Sequence, residues 1–306
     1  MRQIFSNHYP KISVVTPSLN QADTLEKTIV SVLGQDYPNL EYIIMDGGST
    51  DGSVEIIRKY EKSLAFWQSK TDGGQVQALN AGFKRSTGQI CAWLNADDFY
   101  RDGALKEAAG QFIRFPFVDL IFGDALYLNE DSIPFMKLTP FMVHLRTLAI
   151  TDYLHQPSVF FSKRVLEKAG FLNESYNNAF DYDLWVRIFK IAKCRYDPFL
   201  FSASIISKKS KTFSNWPLTI EETEKIQKDH FGSASLEVNV SFVAFRDFGY
   251  VPNFSKVPIS LATKVIGFVR FIKSGVLRPI CLLRQTYYAI ESSIIRRLGI
   301  INWNPL

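Results

Sequence analysis

Short apolar runs alternate with segments of helical spacing through the first half of the chain. The apolar runs predict strands at Lys11–Ser18, Leu40–Met45, Ser63–Ser69, Ile90–Leu94 and Phe117–Leu128. Between them, apolar residues recur at helical spacing and predict helices at Asp23–Leu33, Ser53–Lys62, Gln75–Arg85 and Gly103–Arg114. Strands and helices that alternate over short loops predict an α/β fold, with a mostly parallel central sheet flanked by helices.

The pattern becomes less regular after Leu128. The sequence then predicts a short strand, a few helical turns and a longer helix, at Ser158–Ser162, Arg164–Gly170 and Phe180–Ala192. Beyond about Phe231 the alternation is lost, and basic residues stand between apolar clusters. We therefore expect an α/β domain over residues 1–230 and a basic, helical, amphipathic extension over residues 231–306.

Charge is distributed unevenly along the chain. The net charge is +5, but from Val251 to the end there are eight Lys or Arg residues and one acid, Glu291. Cations interleaved with large apolar residues are typical of an element that lies on a membrane surface and contacts anionic lipid. A helical hairpin packed on the domain explains the same pattern equally well. Nucleic acid is not an expected partner, because no reading motif accompanies the charge.

Composition and cysteine usage indicate the compartment. The 306 residues are 46% apolar and 21% charged, which is typical of a folded globular protein. The three cysteines lie far apart without a C-x-x-C pair, which argues against a disulfide framework and a zinc site. The sequence shows neither a cleavable leader nor an uncharged apolar stretch of about 18 residues. We expect a cytoplasmic protein, and the basic extension allows a peripheral place on the membrane.

Polar residues gather where the first four predicted strands end. The clusters are Thr16-Pro17-Ser18, Asp46, Lys70 with Asp72, and Asp97 with Asp98. The carboxyl ends of parallel strands share one edge of a sheet, and ligands bind beyond that edge. The sequence therefore predicts a binding site formed by all four clusters.

Two glycine-rich turns follow the second and third strands. In Asp46–Ser53 (DGGSTDGS), helix capping explains Ser49–Asp51 but leaves Asp46 unexplained. A carboxylate at that position can accept hydrogen bonds from a base or a ribose. Asp72–Gln75 (DGGQ) repeats the arrangement, and together the turns predict two walls around one ligand. Neither turn has the G-x-G-x-x-G spacing of a dinucleotide site.

Asp97 and Asp98 are adjacent carboxylates at the end of an apolar strand. They repel each other unless a cation or a donor offsets the charge, and Mg²⁺ or Mn²⁺ commonly bridges such carboxylates to phosphates. An isolated pair is usually a solvated turn, but the other clusters on this edge favour a metal site. His155 is a further candidate for contact with phosphate or metal, although a lone histidine is more often structural.

Asp181 and Asp183 open the last long predicted helix. They are two residues apart and do not share a helical face, so one can face a cleft while the other caps the helix or pairs with Arg187. A carboxylate in the cleft would suit the role of general base. Capping alone also explains both residues.

Five segments follow one another at Val14–Gln35, Glu41–Ser53, Asp72–Asp98, His155–Phe161 and Phe180–Ile188. Together they resemble the family 2 glycosyltransferases, inverting enzymes with the GT-A fold, and especially the bacterial members that build surface polysaccharides. The resemblance covers about residues 10–210. It implies the following contacts to the nucleotide: Thr16, Pro17, Asn20, Asp46, Lys70, Asp72 and Asp97.

The resemblance also implies a cofactor and a catalytic base. Asp97 stands at the metal ligand of the D-x-D motif of the family, with Asp98 beside it, and the expected cofactor is Mg²⁺ or Mn²⁺. Asp181 falls where the family has its base. Three positions depart from the family pattern: Asn95 begins the D-x-D motif, Phe180 replaces a frequent Glu, and Gln77 replaces a frequent Asp.

The implied reaction moves a sugar, with inversion, from a nucleotide-sugar donor, a UDP-sugar, to a hydroxyl group of a lipid-linked saccharide. A nucleotidyltransferase is one alternative, but it would need a basic glycine-rich loop after the first strand, and Ser18–Thr24 contains no Gly, Lys or Arg. The other alternative is a non-catalytic relative that binds sugar or membrane. The presence of both Asp97 and Asp181 argues against it.

Overall fold

The computed structural model describes residues 9–140, 144–206 and 215–235. The strands in these residues are β1 (Ile12–Ser18), β2 (Leu40–Asp46), β3 (Phe66–Ser69), β4 (Ile90–Trp93), β5 (Asp98–Tyr100), β6 (Leu120–Leu128), β7 (Pro134–Leu138), β8 (Val159–Ser162) and β9 (Cys194–Ile205). The helices are α1 (Ala22–Leu33), α2 (Ser53–Lys59), α3 (Gln75–Arg85), α4 (Ala104–Arg114), α5 (Leu145–Leu148), α6 (Lys163–Ala169), α7 (Phe180–Ile191) and α8 (Trp216–Phe231). Short 3₁₀ turns lie at Glu61–Ser63 and Gln156–Ser158.

The described strands form one mixed sheet. Their order is β3-β2-β1-β4-β8-β6-β9-β5, with β7 paired to β6 outside this path. β3, β2, β1 and β4 are parallel to one another, as the alternation predicts, and β9 is parallel to β6. The remaining pairs are antiparallel. Each antiparallel pair includes β5, β7 or β8, and none of these strands belongs to the predicted strand–helix alternation.

Apolar layers cover both faces of the sheet. On β1, Val15 points into the layer that α3 and α7 complete, and Val14 points into the layer of α1 and α4. Successive side chains of a strand face opposite sides, so one buried strand serves both layers. In the first layer the rings of Trp93 and Trp185 stack with centroids 5.2 Å apart, which ties the end of β4 to α7.

Most element boundaries lie within one residue of the predicted ones, but the start of β6, the end of α2 and the start of β3 each differ by three residues. β6 begins at Leu120 because the preceding residues turn, with Val118 N donating to Phe115 O at 2.9 Å. α2 ends at Lys59, and a 3₁₀ turn follows before β3. The pattern also missed β5, β7, β9, α5 and α8. β5 has three residues, and charged residues interrupt the apolar run of β9, so neither strand gives a clear periodic signal.

The predicted extension over residues 231–306 lies outside the described residues from position 236 onward. α8 ends at Phe231, and the boundary at residue 230 stays a prediction. Among the described helices, none combines the length and the apolar character that crossing a membrane requires.

Candidate active site

The carboxyl ends of the parallel strands lie side by side, and we call this rim the carboxyl edge. Ser18 of β1 pairs in register with Asp46 of β2, and Asp46 pairs with Ser69 of β3. On the other side of β1, Leu94 N donates to Val15 O at 3.0 Å, so the turn after β4 begins at the same edge. The register brings Ser18, Asp46 and the residues that follow β3 and β4 to one rim of the sheet.

Asp46 is fully buried and organises the first glycine turn. Its carboxylate accepts hydrogen bonds from Gly48 N at 3.1 Å, Ser49 N at 2.9 Å, Ser49 Oγ at 2.5 Å and Ser69 Oγ at 2.6 Å. Four donors match the acceptor capacity of a carboxylate. Asp46 therefore holds the turn against β3.

The two glycine turns pack closely against each other because their glycines have no side chains. Gly48 has a φ of +90°, and a Cβ there would lie 3.3 Å from Thr71 N. A Cβ on Gly47 would lie 3.4 Å from both carboxylate oxygens of Asp72, which itself accepts a hydrogen bond from Gly74 N at 2.9 Å. A side chain at Gly48 would be strained as well as crowded. The two predicted walls thus form one continuous surface.

Asn20 connects β1 to the first glycine turn. Its N–H donates to Ser49 Oγ at 2.7 Å, and its Oδ1 accepts from Thr50 N at 3.0 Å. Asp51 adds a third link, because its Oδ2 accepts from Ala22 N at the start of α1 at 2.9 Å. These bonds fix the loop after β1 against the turn after β2.

Thr16 and Pro17 are buried rather than placed at the rim. Thr16 is 0% exposed, and its hydroxyl lies 3.0 Å from Tyr42 Oη inside the sheet. The expected nucleotide contact by Thr16 stays a prediction, and its hydroxyl already has a partner in Tyr42 Oη.

The rim beyond β1 is formed by other side chains. The Ser18 hydroxyl is buried and has no hydrogen-bond partner among the described residues. Leu19 is 55% exposed and lies next to Gly47. Lys70 is exposed at the end of β3. An apolar side chain and an exposed lysine thus flank the glycine turns.

Asn95 is the centre of a hydrogen-bond network. Its Nδ2 donates to Asp98 Oδ2 and to Gln156 Oε1, both at 3.1 Å, and its Oδ1 accepts from Gln75 Nε2 at 2.9 Å. Gln156 in turn donates to Trp93 O at 2.8 Å. The network uses both hydrogens of the Asn95 amide. This explains why an asparagine stands where the D-x-D motif would have an aspartate.

Asp98 is buried, and the groups that donate hydrogen bonds to its carboxylate are neutral. Its carboxylate accepts from Asn95 Nδ2 and from Ser204 Oγ of β9. His155 Nε2 lies 2.9 Å from the same Ser204 Oγ. Burial lowers the pKa of His155 to about 4, so the ring is neutral near pH 7. His155 therefore contacts Asp98 through Ser204.

Asp97 has a different environment from Asp98. It is half-buried, and in the described part of the chain no other residue donates a hydrogen bond to its carboxylate. Burial raises the pKa of Asp97, and burial followed by the charge of Asp97 raises the pKa of Asp98. Raised pKa values in adjacent carboxylates mean that the pair favours added positive charge, from a proton or a cation.

The donor set at this turn fits a divalent cation held mainly by one side chain. Mg²⁺ and Mn²⁺ often use one or two protein carboxylates and complete their shell with water and substrate phosphates. Asp97 is free for this role, whereas Asp98 and His155 already share Ser204. In the described ranges, no three His, Cys, Asp or Glu side chains form a metal-binding group. The residues present therefore fit a cation that Asp97 and the phosphate oxygens of a substrate would hold together.

Asp181 and Asp183 diverge at the start of α7. Asp183 is 2% exposed and accepts from Arg187 Nε at 2.9 Å, and its other oxygen lies 3.1 Å from His230 Nε2. Asp183 thus ties α7 to α8. Asp181 is half-buried, and its Oδ1 accepts from Tyr182 N at 2.8 Å. Of the two alternatives for the second carboxylate, helix capping or a pair with Arg187, the structure shows the pair at Asp183.

The packing of α7 brings Asp181 to the acidic turn. The Trp93 ring lies 6.5 Å from the Phe180 ring and 5.2 Å from the Trp185 ring, measured between centroids. Trp93 ends β4 two residues before Asn95, and Phe180 directly precedes Asp181. The start of α7 is therefore anchored beside the turn that carries Asp97 and Asp98.

Tyr127 of β6 lies beside His155. Its ring centroid lies 5.2 Å from that of His155. Burial raises the pKa of Tyr127, and the nearby charges of Asp98, Asp152 and Asp181 raise it further. The charges of Asp98, Asp152 and Asp181 therefore all reach one phenol, which puts Asp181 in the neighbourhood of the acidic turn. Asp152 was absent from the sequence-based site.

The sequence missed several residues that support the site. Gln75 and Gln156 lie within the segments DGGQ and HQPS, so their place in the motifs was visible although their contacts were not. Ser204 and Asp152 lie in no motif, and only the folded chain brings them to the cleft.

Comparisons with known proteins show the family. The glycosyl transferase family 2 model matches residues 13–166, just over half of the 306 residues. The chain belongs to this family. Its predicted fold is confirmed as well, because two solved enzymes share the GT-A architecture. A mannosyltransferase from Pyrobaculum calidifontis, solved with GDP-Man and Mn²⁺, has a TM-score of 0.59 at 17% identity, covering 94% of this chain and 81% of that chain. TarS 1-349 of S. aureus, solved with UDP-GlcNAc, has a TM-score of 0.58 at 16% identity, covering 84% and 79%.

Sequence relatives are glycosyltransferases of differing length. An uncharacterized one from Rickettsia typhi is 26% identical over 300 residues, covering 87% of this chain and 90% of that protein. Bacillus subtilis TuaG, named as a candidate for teichuronic acid biosynthesis, is 36% identical over 105 residues, covering 33% of this chain and 42% of TuaG. Another, from Rickettsia conorii, is 28% identical over 204 residues, covering 62% of this chain. The chain spans about a third of the Rickettsia conorii protein.

Proposed function

We propose that this chain transfers a sugar from a nucleotide-sugar donor to a saccharide hydroxyl group, with inversion at the anomeric carbon. The proposed donor is a UDP-sugar, and the proposed cofactor is Mg²⁺ or Mn²⁺. The observation that carries the proposal is the position of α7, which the Phe180–Trp93 contact anchors beside the Asp97–Asp98 turn. A base and a cation-binding carboxylate in one cleft suit the displacement of a nucleoside diphosphate by a hydroxyl group.

The carboxyl edge supplies the proposed nucleotide pocket. The nucleotide would lie across the two glycine turns, where the absence of side chains lets it approach the backbone. Lys70 would face the diphosphate, and Asn20 and Asp72 would line the walls. Asp46 is proposed to act through the turn it holds, because its acceptor sites are occupied by Gly48, Ser49 and Ser69.

The proposed reaction is a single displacement. The acceptor oxygen attacks the anomeric carbon from the face opposite the diphosphate, and Asp181 takes the hydroxyl proton. The bond between the anomeric carbon and the diphosphate oxygen breaks, and its electron pair stays on the departing diphosphate. A divalent cation at Asp97 would supply positive charge that offsets the charge on that group. One displacement inverts the configuration and needs no enzyme nucleophile.

Relatives support the donor and acceptor classes. TarS was solved with UDP and with UDP-GlcNAc, and the Pyrobaculum mannosyltransferase with GDP-Man and Mn²⁺. The name of TuaG refers to a cell-surface polymer. We accordingly propose an acceptor in surface-polysaccharide biosynthesis that is linked to lipid. A place on the cytoplasmic face of the membrane, through the basic extension, is part of the same proposal.

A thermal-shift screen tests the proposed donor class. UDP-, GDP-, dTDP- and CMP-sugars are each added to the full chain with Mn²⁺ or with EDTA. We expect UDP-sugars to raise the melting temperature when Mn²⁺ is present, because a ligand at 100 times its Kd stabilises the folded state by about 2.7 kcal/mol. If only GDP-sugars stabilise the chain, the proposed donor class changes to a GDP-sugar and the proposed reaction stays the same. If no nucleotide sugar stabilises the chain, the transferase proposal fails.

A further inference from the structure

α8 lies beyond the residues that match the family model, yet it packs along the helix of the proposed base. Ile226 of α8 is fully buried in the same apolar layer as α7. His230 of α8 lies 3.1 Å from Asp183 Oδ1. The two helices are therefore joined by both apolar and polar contacts over several turns.

Glu222 makes the tightest of these connections. Its carboxylate accepts three backbone N–H groups in succession, from Asn177 at 2.7 Å, Asn178 at 2.8 Å and Ala179 at 2.8 Å. Glu222 is 6% exposed, so these bonds are shielded from water. Ala179 is the N-cap of α7, and Asp181 follows two residues later.

We infer that Glu222 is a positioning residue, which fixes the start of α7 so that Asp181 faces the acceptor hydroxyl group. The inference rests on the proposed function, because it takes Asp181 as the base. N–H groups at the start of a helix have no partner within the helix. An anion there accepts their hydrogen bonds and interacts favourably with the positive end of the helix dipole. Here that anion comes from a different helix, so the backbone before Asp181 is fixed to α8.

Gln227 connects α8 to the segment before Asp152 as well. Its Nε2 donates to Tyr182 Oη at 3.2 Å and to Ile150 O at 3.3 Å. Tyr182 Oη in turn donates to Leu148 O. The segment that these bonds hold leads directly to Asp152, the second carboxylate beside Tyr127. α8 thus holds the segments that lead to both Asp152 and Asp181.

If the start of α7 is no longer fixed, kcat should change more strongly than donor affinity. A displacement of about 1 Å at a reacting group can cost about 100-fold in rate. The nucleotide pocket is built from β1 to β4 and lies on other elements, so donor affinity should not depend on Glu222. The signature of a positioning role is therefore a lower kcat at unchanged donor affinity.

The experiment compares variants of the full chain. Glu222→Gln keeps the shape of the side chain but turns an amide NH₂ toward one of the three N–H groups, and Glu222→Ala removes the acceptor. Glu221→Gln, at the exposed neighbouring position, is the matched control. For each variant, release of nucleoside diphosphate gives kcat, and titration with the donor found in the thermal-shift screen gives Kd. Asp181→Asn is measured in parallel.

We expect kcat to fall about 10-fold in Glu222→Gln and about 100-fold in Glu222→Ala, with donor Kd unchanged within about twofold. Glu221→Gln should match the unmodified chain. If Glu222→Ala does not fold, the near-isosteric Gln variant decides. Unchanged kcat in Glu222→Gln, beside an inactive Asp181→Asn, overturns the positioning role alone. Loss of donor affinity in step with kcat also overturns it, because the effect would then be general. Full turnover in Asp181→Asn removes the proposed base and this inference with it.

Discussion

Asn95 and Asp98 are joined by a hydrogen bond of 3.1 Å, in which the Asn95 amide donates to Asp98 Oδ2. The second amide hydrogen of Asn95 goes to Gln156 Oε1. The departure from the D-x-D motif is therefore a working part of this site. It replaces a third carboxylate by a donor and leaves Asp97 as the carboxylate free for a cation.

Asn95→Asp should destabilise the chain when no divalent cation is present. The new carboxylate would face Asp98 Oδ2 and Gln156 Oε1 without a hydrogen to offer, which costs about 1–3 kcal/mol. A cation would offset part of the repulsion, so Mn²⁺ should stabilise this variant more than the unmodified chain. Urea unfolding with EDTA and with Mn²⁺ measures both effects. Equal stability of the two proteins in EDTA would show that the amide is not required.

Asp97→Asn should raise the stability of the free chain and weaken its binding of nucleotide. Burial raises the pKa of Asp97 and the charge of Asp97 raises that of Asp98, so removing this charge should stabilise the free chain. The same change should weaken Mn²⁺-dependent nucleotide binding at least tenfold, which is about 1.4 kcal/mol. Asp131→Asn, on an exposed turn, is the control. Calorimetric titration with unaltered nucleotide affinity in Asp97→Asn would remove Asp97 from the cation site.

Asp183→Asn should damage the fold rather than the chemistry. Asp183 is 2% exposed and pairs with Arg187, and breaking a buried pair from one side costs about 3–5 kcal/mol. Donor affinity per folded molecule should stay the same, because Asp183 faces α8 and not the cleft. Thermal unfolding and donor titration test the two statements separately. A variant of normal stability but no activity would give Asp183 the role that we assign to Asp181.

Glu41 should make stability depend on pH at the opposite rim of the sheet. Burial raises its pKa, but bonds from Ser13, Thr87 and Lys11 outweigh burial and lower the pKa to about 2, from the ordinary 4.5. A lowered carboxylate pKa stabilises the folded chain above pH 4.5, and this contribution is lost as pH falls toward 2. Urea unfolding between pH 7 and 3 should show a smaller acid loss in Glu41→Gln, and equal loss would contradict the assignment.

The parallel half of the fold could be predicted because its signals are local. Apolar strands end in Pro, Ser, Asp and Gly, and the intervening helices carry a clear apolar face. The register then follows, which is why Ser18, Asp46 and the residues that follow β3 and β4 meet at one edge. The hydrogen bond between Thr16 and Tyr42 could not be predicted, because the partner lies on the neighbouring strand.

The rest of the site depends on contacts between distant parts of the chain. Ser204 reaches Asp98 across 106 positions of sequence, and Glu222 reaches Ala179 across 43. A serine in a strand and a glutamate in a helix are common in any sequence, so neither residue type indicates such a partner. Only the docking of β9 and α8 shows what these side chains hold in place.

The most direct test of the central claim is donor binding and donor turnover measured on the same preparation of Asp181→Asn. We predict that the variant binds the nucleotide sugar with the affinity of the unmodified chain but releases nucleoside diphosphate at least about 100-fold more slowly, as expected when a general base is lost. Turnover at the unmodified rate, with binding retained, would contradict the account, because the proton acceptor would then lie elsewhere in the cleft.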